Sequence, residues 1–193
     1  MKDRFFTDVL AHELIIIRDA GAYRHLRFKK PDTSNMYFDL LTWPGHLCFT
    51  GDMGSYLFSR VRDMFGFFRD DRLRINPQYW AEKVLAQDRE GIQQWSDKLF
   101  REMAIERVTT HFEDVPSTRR DALSELTEDV LPYAEEEWEA APAYMNFSYG
   151  GFHSEAEDLS SCYEYTFRYL WCCHAIVWGI QQYDTASTAV ETS

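Results

Sequence analysis

Between residues 23 and 59 the chain alternates between short apolar segments and turn residues. YRHLRFKK, MYFDLLTW, HLCFT and SYLFS are rich in aromatics, and PDTSN, PG and GDMG separate them. Such segments read as strands and such separators as turns. Joined as an antiparallel meander closed on each separator, they pair Phe28 with Phe38 and Leu26 with Leu40. The next hairpin pairs Leu40 with Phe49 and Thr42 with Leu47, and the last pairs Phe49 with Tyr56 and Leu47 with Phe58. One face then collects Leu26, Phe28, Phe38, Leu40, Leu47, Phe49, Tyr56 and Phe58. A one-residue slip in any hairpin would turn its apolar set to the other face, so the register is strongly specified. An L-Pro-Gly pair favours a type II turn, which suits two-residue hairpins poorly. The second connection is therefore expected as a four-residue loop, Trp43 to His46.

GDMG at residues 51–54 could be a phosphate-binding loop or a turn. A phosphate loop needs a helix N-terminus behind its glycines, and here a strand follows with no Lys-Ser/Thr pair. The stretch reads as a hairpin turn, with Gly51 and Gly54 supplying positive φ.

The flanking sequence has helical spacing. RFFTDVLAHELIII, residues 4–17, carries Phe5, Val9 and Leu10 and reads as a short helix running into an apolar strand or helix end. After Arg60 the pattern predicts helices to the end. One covers 60–71, and a second covers 76–88 with Asn76 as N-cap and Pro77 at the first helical position. A third covers 91–114 with Ile92, Trp95, Leu99, Met103 and Ile105 along one stripe. A fourth covers 116–141 and is interrupted near Pro132, and a loop follows over 142–154. The last, over 156–184, holds Leu170, Trp171, Ile176, Val177, Trp178 and Ile180, which cannot all face one partner. Such a helix is central, packed between the sheet's apolar face and the other helices.

The expected fold is α+β: an N-terminal antiparallel meander of about four strands packed on a C-terminal helical bundle. It forms a single domain over 1–184, with the sheet at 23–59, helices over 60–184 and a disordered tail at 185–193.

Composition sharpens this. Aromatics make up 16% of the 193 residues, which argues for a packed core. The net charge is −12, so free nucleic acid and anionic membrane are poor direct partners. The imbalance is local. Residues 1–60 hold eight basic and seven acidic residues, whereas 113–164 hold two basic and fourteen acidic. The longest apolar run, YLWCCHAIVWGI, is too short to span a bilayer. The N-terminal stretch carries acids within its apolar part, a poor signal peptide. Cys48, Cys162, Cys172 and Cys173 form no CxxC, which fits a reduced, cytoplasmic protein.

Candidate chemistry is sparse. The polar sheet face carries Tyr23, His25, Arg27 and Asp39, with Arg27 opposite Asp39. The group could bind an anion or small ligand, or do acid–base work; the plainer reading is a cross-strand ion pair on a solvated face. Cys172, Cys173 and His174 are consecutive, so a helix points them in three directions, unlike converging zinc ligands. His111 with Glu113 and Asp114, and His153 with Glu155, are isolated metal-site fragments. No HExxH, GxSxG, Walker A or GxGxxG occurs, so neither a cofactor nor a metal is expected. The acidic segment offers Glu128, Asp129, Glu135, Glu136, Glu137, Glu139, Glu155, Glu157 and Asp158, with the interleaved Trp138, Tyr144, Phe147 and Tyr149 as anchoring aromatics. Its plain reading is a solvated helix face. Its functional reading is a surface that imitates phosphates, since helical spacing puts carboxylates about 5–6 Å apart.

The pattern YRHLRF, FDL-TWPGHL, GD-G-Y-FSR and DMF-FF, within residues 23–69, resembles a family of small bacteriophage and prophage proteins without an established activity. The match covers about a quarter of the chain. The resemblance implies a phage origin and a role inside a bacterial host, and it carries over no catalytic residue. Small acidic phage proteins of this kind resemble anti-CRISPR and restriction inhibitors. The expectation is therefore a binding protein that docks its acidic surface on the basic nucleic-acid-binding site of a host protein or ribonucleoprotein. A ligand-binding or enzymatic site on the polar sheet face, and a self-associating structural or regulatory protein, are the alternatives.

Overall fold

The computed structural model describes residues 1–191. The chain divides into two compact units where its length suggests one domain. The first is Met1–Ile92 together with the chain from Tyr165 onward, and the second is Gln93–Glu164. The fold is mixed α+β, with an antiparallel sheet near the N-terminus and helices after it.

The first unit opens with α1 (Lys2–Val9) and then builds a six-stranded sheet. Its strands are β1 (Glu13–Ala20), β2 (Tyr23–Lys29), β3 (Phe38–Trp43), β4 (His46–Gly51), β5 (Gly54–Ser59) and β6 (Val84–Gln87), in spatial order β1 to β6. The central hairpins carry the expected register. Phe28 faces Phe38, Leu40 faces Phe49, and Phe49 faces Tyr56. All eight residues of the expected apolar face are at most 1% exposed. The second hairpin differs in its connection. Pairing continues to Trp43 opposite His46, whose rings stack at 5.0 Å, so the link is the two residues Pro44-Gly45 rather than a four-residue loop.

The sheet gains a strand on each side of the expected four. The residues after α1 form β1, which pairs with β2 through a bulge at Ile17. A bulge of this kind bends the strand and increases its local twist. On the far side, α3 (Pro77–Ala81) starts as predicted, with Asn76 Oδ1 accepting from Tyr79 N at 3.2 Å, but it stops early and the chain becomes β6. Lys83 O accepts from Ser59 N at 2.9 Å, and Ser55 O accepts from Asp88 N at 3.1 Å. The open ladder of β5 outweighs the helical spacing of this segment.

The two glycines of GDMG have different reasons. Gly54 has φ +103°, as a tight hairpin requires. Gly51 does not have positive φ. A Cβ there would stand 2.2 Å from Tyr37 O, so close backbone approach excludes a side chain.

A helix α2 (Met64–Phe68), with Asp63 as N-cap, and the long α7 (Phe167–Glu191) cover the apolar face. Phe38 stacks on Phe28 at 4.7 Å and on Phe49 at 5.4 Å, and meets Trp171 edge-on at 5.6 Å. Trp178 packs edge-on against Phe28 at 5.4 Å. Arg69 grips Asp184, in the C-terminal half of α7, through two hydrogen bonds of 2.7 and 2.9 Å. The helix starts later than expected and runs to Glu191, over most of the stretch expected to be a disordered tail. Thr192 and Ser193 lie outside the described residues.

The second unit contains α4 (Asp97–His111), α5 (Pro116–Asp129), a 3-10 turn (Leu131–Tyr133) and α6 (Glu137–Met145). A short hairpin of β8 (Ser148–Tyr149) and β9 (Phe152–His153) follows, then a second 3-10 turn (Ala156–Ser161). The strands β7 (Gln93–Trp95) and β10 (Tyr163–Tyr165) pair beside them. Helix α4 begins after Ser96, so Ile92 and Trp95 precede it, and its buried stripe is Phe100, Met103, Ala104 and Val108. Ile105, expected on the stripe, is 40% exposed. Among the described residues no helix is long and apolar enough to cross a membrane.

Removing the Phe38 ring would leave Phe28, Phe49 and Trp171 without their shared neighbour. Phe38→Ala is expected to lower stability by about 3–5 kcal/mol. Urea unfolding followed by far-UV circular dichroism measures this, and a loss under about 1 kcal/mol would show that this contact is not central.

Candidate functional site

Charge divides along the same line as structure. Residues 93–164 hold five basic and seventeen acidic residues, a net of −12, while the rest of the chain holds fifteen of each. The first unit is neutral by composition, and the second carries the whole imbalance.

Several of these acids have local work. Asp158 is not part of an exposed surface. Its side chain is 7% exposed, accepts from the Tyr144 hydroxyl at 2.8 Å, and pairs with Arg107 at 2.5 Å. Burial and this carboxylate raise the Tyr144 phenol above its ordinary pKa. Glu155 and Asp158 form a capping box on the second 3-10 turn. Glu155 also lines a cavity of about 380 Å³ with Arg107, His111 and His153. Glu157 is exposed in the first turn of that element. Glu137 accepts from the Tyr163 hydroxyl, and this hydrogen bond lifts the phenol to about 12. Glu137 and Glu139 lie in the first turn of α6, where negative charge complements the helix dipole. Glu128 accepts weakly from Ser124 at 3.4 Å, one turn earlier on α5.

The remaining acids converge differently. A groove of about 660 Å³ runs along the last turns of α5, the 3-10 turn and α6. Glu125 and Asp129 enter it from α5 at i, i+4 spacing, and Glu139 enters from α6. Tyr133 and Trp138 line it and are 47% and 70% exposed. Pro142 and Ala143 supply accessible apolar surface, the nearly buried Val130 and Phe147 also line it, and none of its lining residues is basic. Trp and Tyr are the residue types enriched at binding hot spots.

The structure thus brings Asp129, Trp138 and Glu139 into one groove and leaves Glu135 and Glu136 exposed beside it in sequence. Glu155 is directed elsewhere, the Asp158 side chain is largely covered by Arg107 and Tyr144, and Tyr144 and Phe147, expected as anchoring aromatics, are buried. Sequence reasoning did not single out Glu125 or Tyr133. The available signals were the i, i+4 pair Glu125/Asp129 and an aromatic directly after Pro132.

On the sheet, His25, Arg27 and Asp39 do come together. Arg27 donates to both Asp39 oxygens at 2.8 Å, and His25 Nε2 lies 3.0 Å from Asp39 Oδ2. Asp39 is 5% exposed. Burial pushes its pKa up, but the hydrogen bonds from Arg27 and His25 outweigh burial and hold it below the ordinary value. The carboxylate is saturated by its neighbours. Tyr23, at the strand end, lies under the Arg18 guanidinium at 5.5 Å instead. The cavities described above are lined by other residues.

Cys162, Cys172 and Cys173 are buried thiols, and burial raises all three above the ordinary thiol pKa. Among the described residues no group of three His, Cys, Asp or Glu side chains is placed to hold a metal. Comparison with protein-family models, with curated proteins and with solved structures gives no match.

Because the folded pKa of Asp39 is depressed, its stabilisation is full above the unfolded value and is lost as pH falls through the folded value. Asp39→Asn should cost about 1–3 kcal/mol at neutral pH. The gap from wild type should close below about pH 4. Thermal melts from pH 7 to pH 3 check this, and a gap that stays constant would remove the ionic account.

Proposed function

We propose that this protein is a binding protein whose acidic helical unit docks on a basic, nucleic-acid-binding surface of a partner. The observation that carries the reading is the segregation of charge, a neutral sheet-centred unit joined to a unit of net −12. Generic acidity for solubility would spread across both. A concentrated negative field accelerates encounter with a basic surface and selects against anionic partners. Exposed Glu135 and Glu136, with Glu137 and the groove beside them, form the contact region. With the resemblance to phage proteins, the partner class is a host nucleic-acid-directed defence complex, and the effect is inhibition by occupation of its nucleic-acid site.

The test is capture of partners from a defence-competent bacterial lysate by the tagged protein. A nucleic-acid-handling complex should bind at low salt, release at high salt, and be displaced by added duplex DNA or RNA. Glu135→Lys with Glu136→Lys should abolish capture while the melt is retained, since both side chains are exposed. Capture that ignores salt, nucleic acid and the charge reversal would overturn the reading.

Self-association is a second reading with its own observation. Ile15, Ile16 and Ile17 on the edge strand β1 are 42%, 46% and 50% exposed. Edge strands of this kind pair with a second copy when nothing blocks them. Sedimentation across a concentration series should then show dimers that Ile16→Lys disperses, and a monomer at every concentration would end this reading.

A further inference from the structure

We infer that the groove along α5 and α6 is a receptor for an arginine side chain presented by a basic segment of the partner. This rests on the acidic-docking reading and goes beyond it by naming the chemistry that anchors the complex.

The groove joins three features that a bare acidic patch lacks. It is an open groove of about 660 Å³, large enough to seat a short segment of chain. It has two exposed aromatics, Tyr133 and Trp138, placed among carboxylates. It has the three acids Glu125, Asp129 and Glu139, and none of them is in an ion pair within the protein among the described residues.

This combination fits a guanidinium better than an ammonium. A guanidinium is flat and weakly hydrated, so it stacks on an indole face and loses little on leaving water. Its fork of N–H donors matches carboxylates bidentately. Its methylene stem would lie on the apolar surface of Pro142 and Ala143. A lysine offers a compact, strongly hydrated charge and gains little from the indole. The volume exceeds one side chain, so the occupant is a short extended segment with arginine at the aromatic end. The absence of any basic lining residue and the net charge of the unit supply the complementarity that selects a cationic segment.

The test is titration calorimetry of the full chain with two capped peptides, Gly-Arg-Gly-Arg-Gly and Gly-Lys-Gly-Lys-Gly, at several salt concentrations. The arginine peptide should bind at least about tenfold more tightly than the lysine peptide, a difference of about 1.4 kcal/mol. Trp138→Ala should weaken the arginine peptide about tenfold without changing the salt slope, because no charge is removed. Glu125→Gln with Asp129→Asn should weaken it and flatten the slope. All three positions are exposed, so the variants should melt as the wild type does. Trp138→Phe should restore part of the affinity.

Equal affinity for the two peptides, no binding of either, or wild-type affinity in Trp138→Ala would overturn the groove as an arginine receptor. If any of these occurs while the Glu135/Glu136 reversal still abolishes partner capture, acidic docking stands and only its anchor is wrong. If the reversal also leaves capture intact, both fall.

Discussion

The seating of α7 on the sheet is the contact on which the rest of the structure depends. Phe28, Phe38 and Phe49 form a stacked aromatic row across three strands, and Trp171 and Trp178 close over it. The two partners come from opposite ends of the chain. A meander with one apolar face cannot stand in water alone, and a helix apolar on nearly all sides cannot either. Each supplies the surface that the other lacks. Phe5 of α1 and Phe68 of α2 pack at the margins of this layer, the first on Trp171 at 5.1 Å and the second on Phe58 at 5.1 Å.

That contact also sets the organisation of the chain. Because α7 returns to the sheet, residues 93–164 form an insertion with its own core of Phe100, Val108, Leu126 and Tyr144. An inserted unit can vary its surface without disturbing the aromatic layer of its host. The charge follows this division, since the host is neutral and the insert carries −12. Within the insert, part of the acidity is structural. Asp158 holds Tyr144 and Arg107, Glu155 caps a turn, and Glu137 engages Tyr163. What remains for a partner is narrower than the acidic stretch of sequence. The polar sheet face is likewise more structural than its residue types suggest, because Asp39 spends both oxygens on Arg27 and His25.

The core of the sheet was legible in the order of residues alone. The pairings of Phe28 with Phe38, Leu40 with Phe49, and Phe49 with Tyr56 follow from period-two alternation and short connections, both local properties. That order also determined the helix start at Asn76-Pro77 and the break near Pro132, where capping and ring geometry act within a few residues. Tertiary structure decided β6, because a short segment such as Val84–Gln87 takes its conformation from the open ladder of β5. It decided which acids are engaged by the protein and which are left to solvent, because Asp158 meets Tyr144 and Arg107 from other elements. It decided the groove, in which Glu125, Tyr133, Trp138 and Glu139 meet from two helices and the turn between them. Spacing in sequence fixes what is adjacent on one element, whereas a site made by several elements exists only once their packing brings them together.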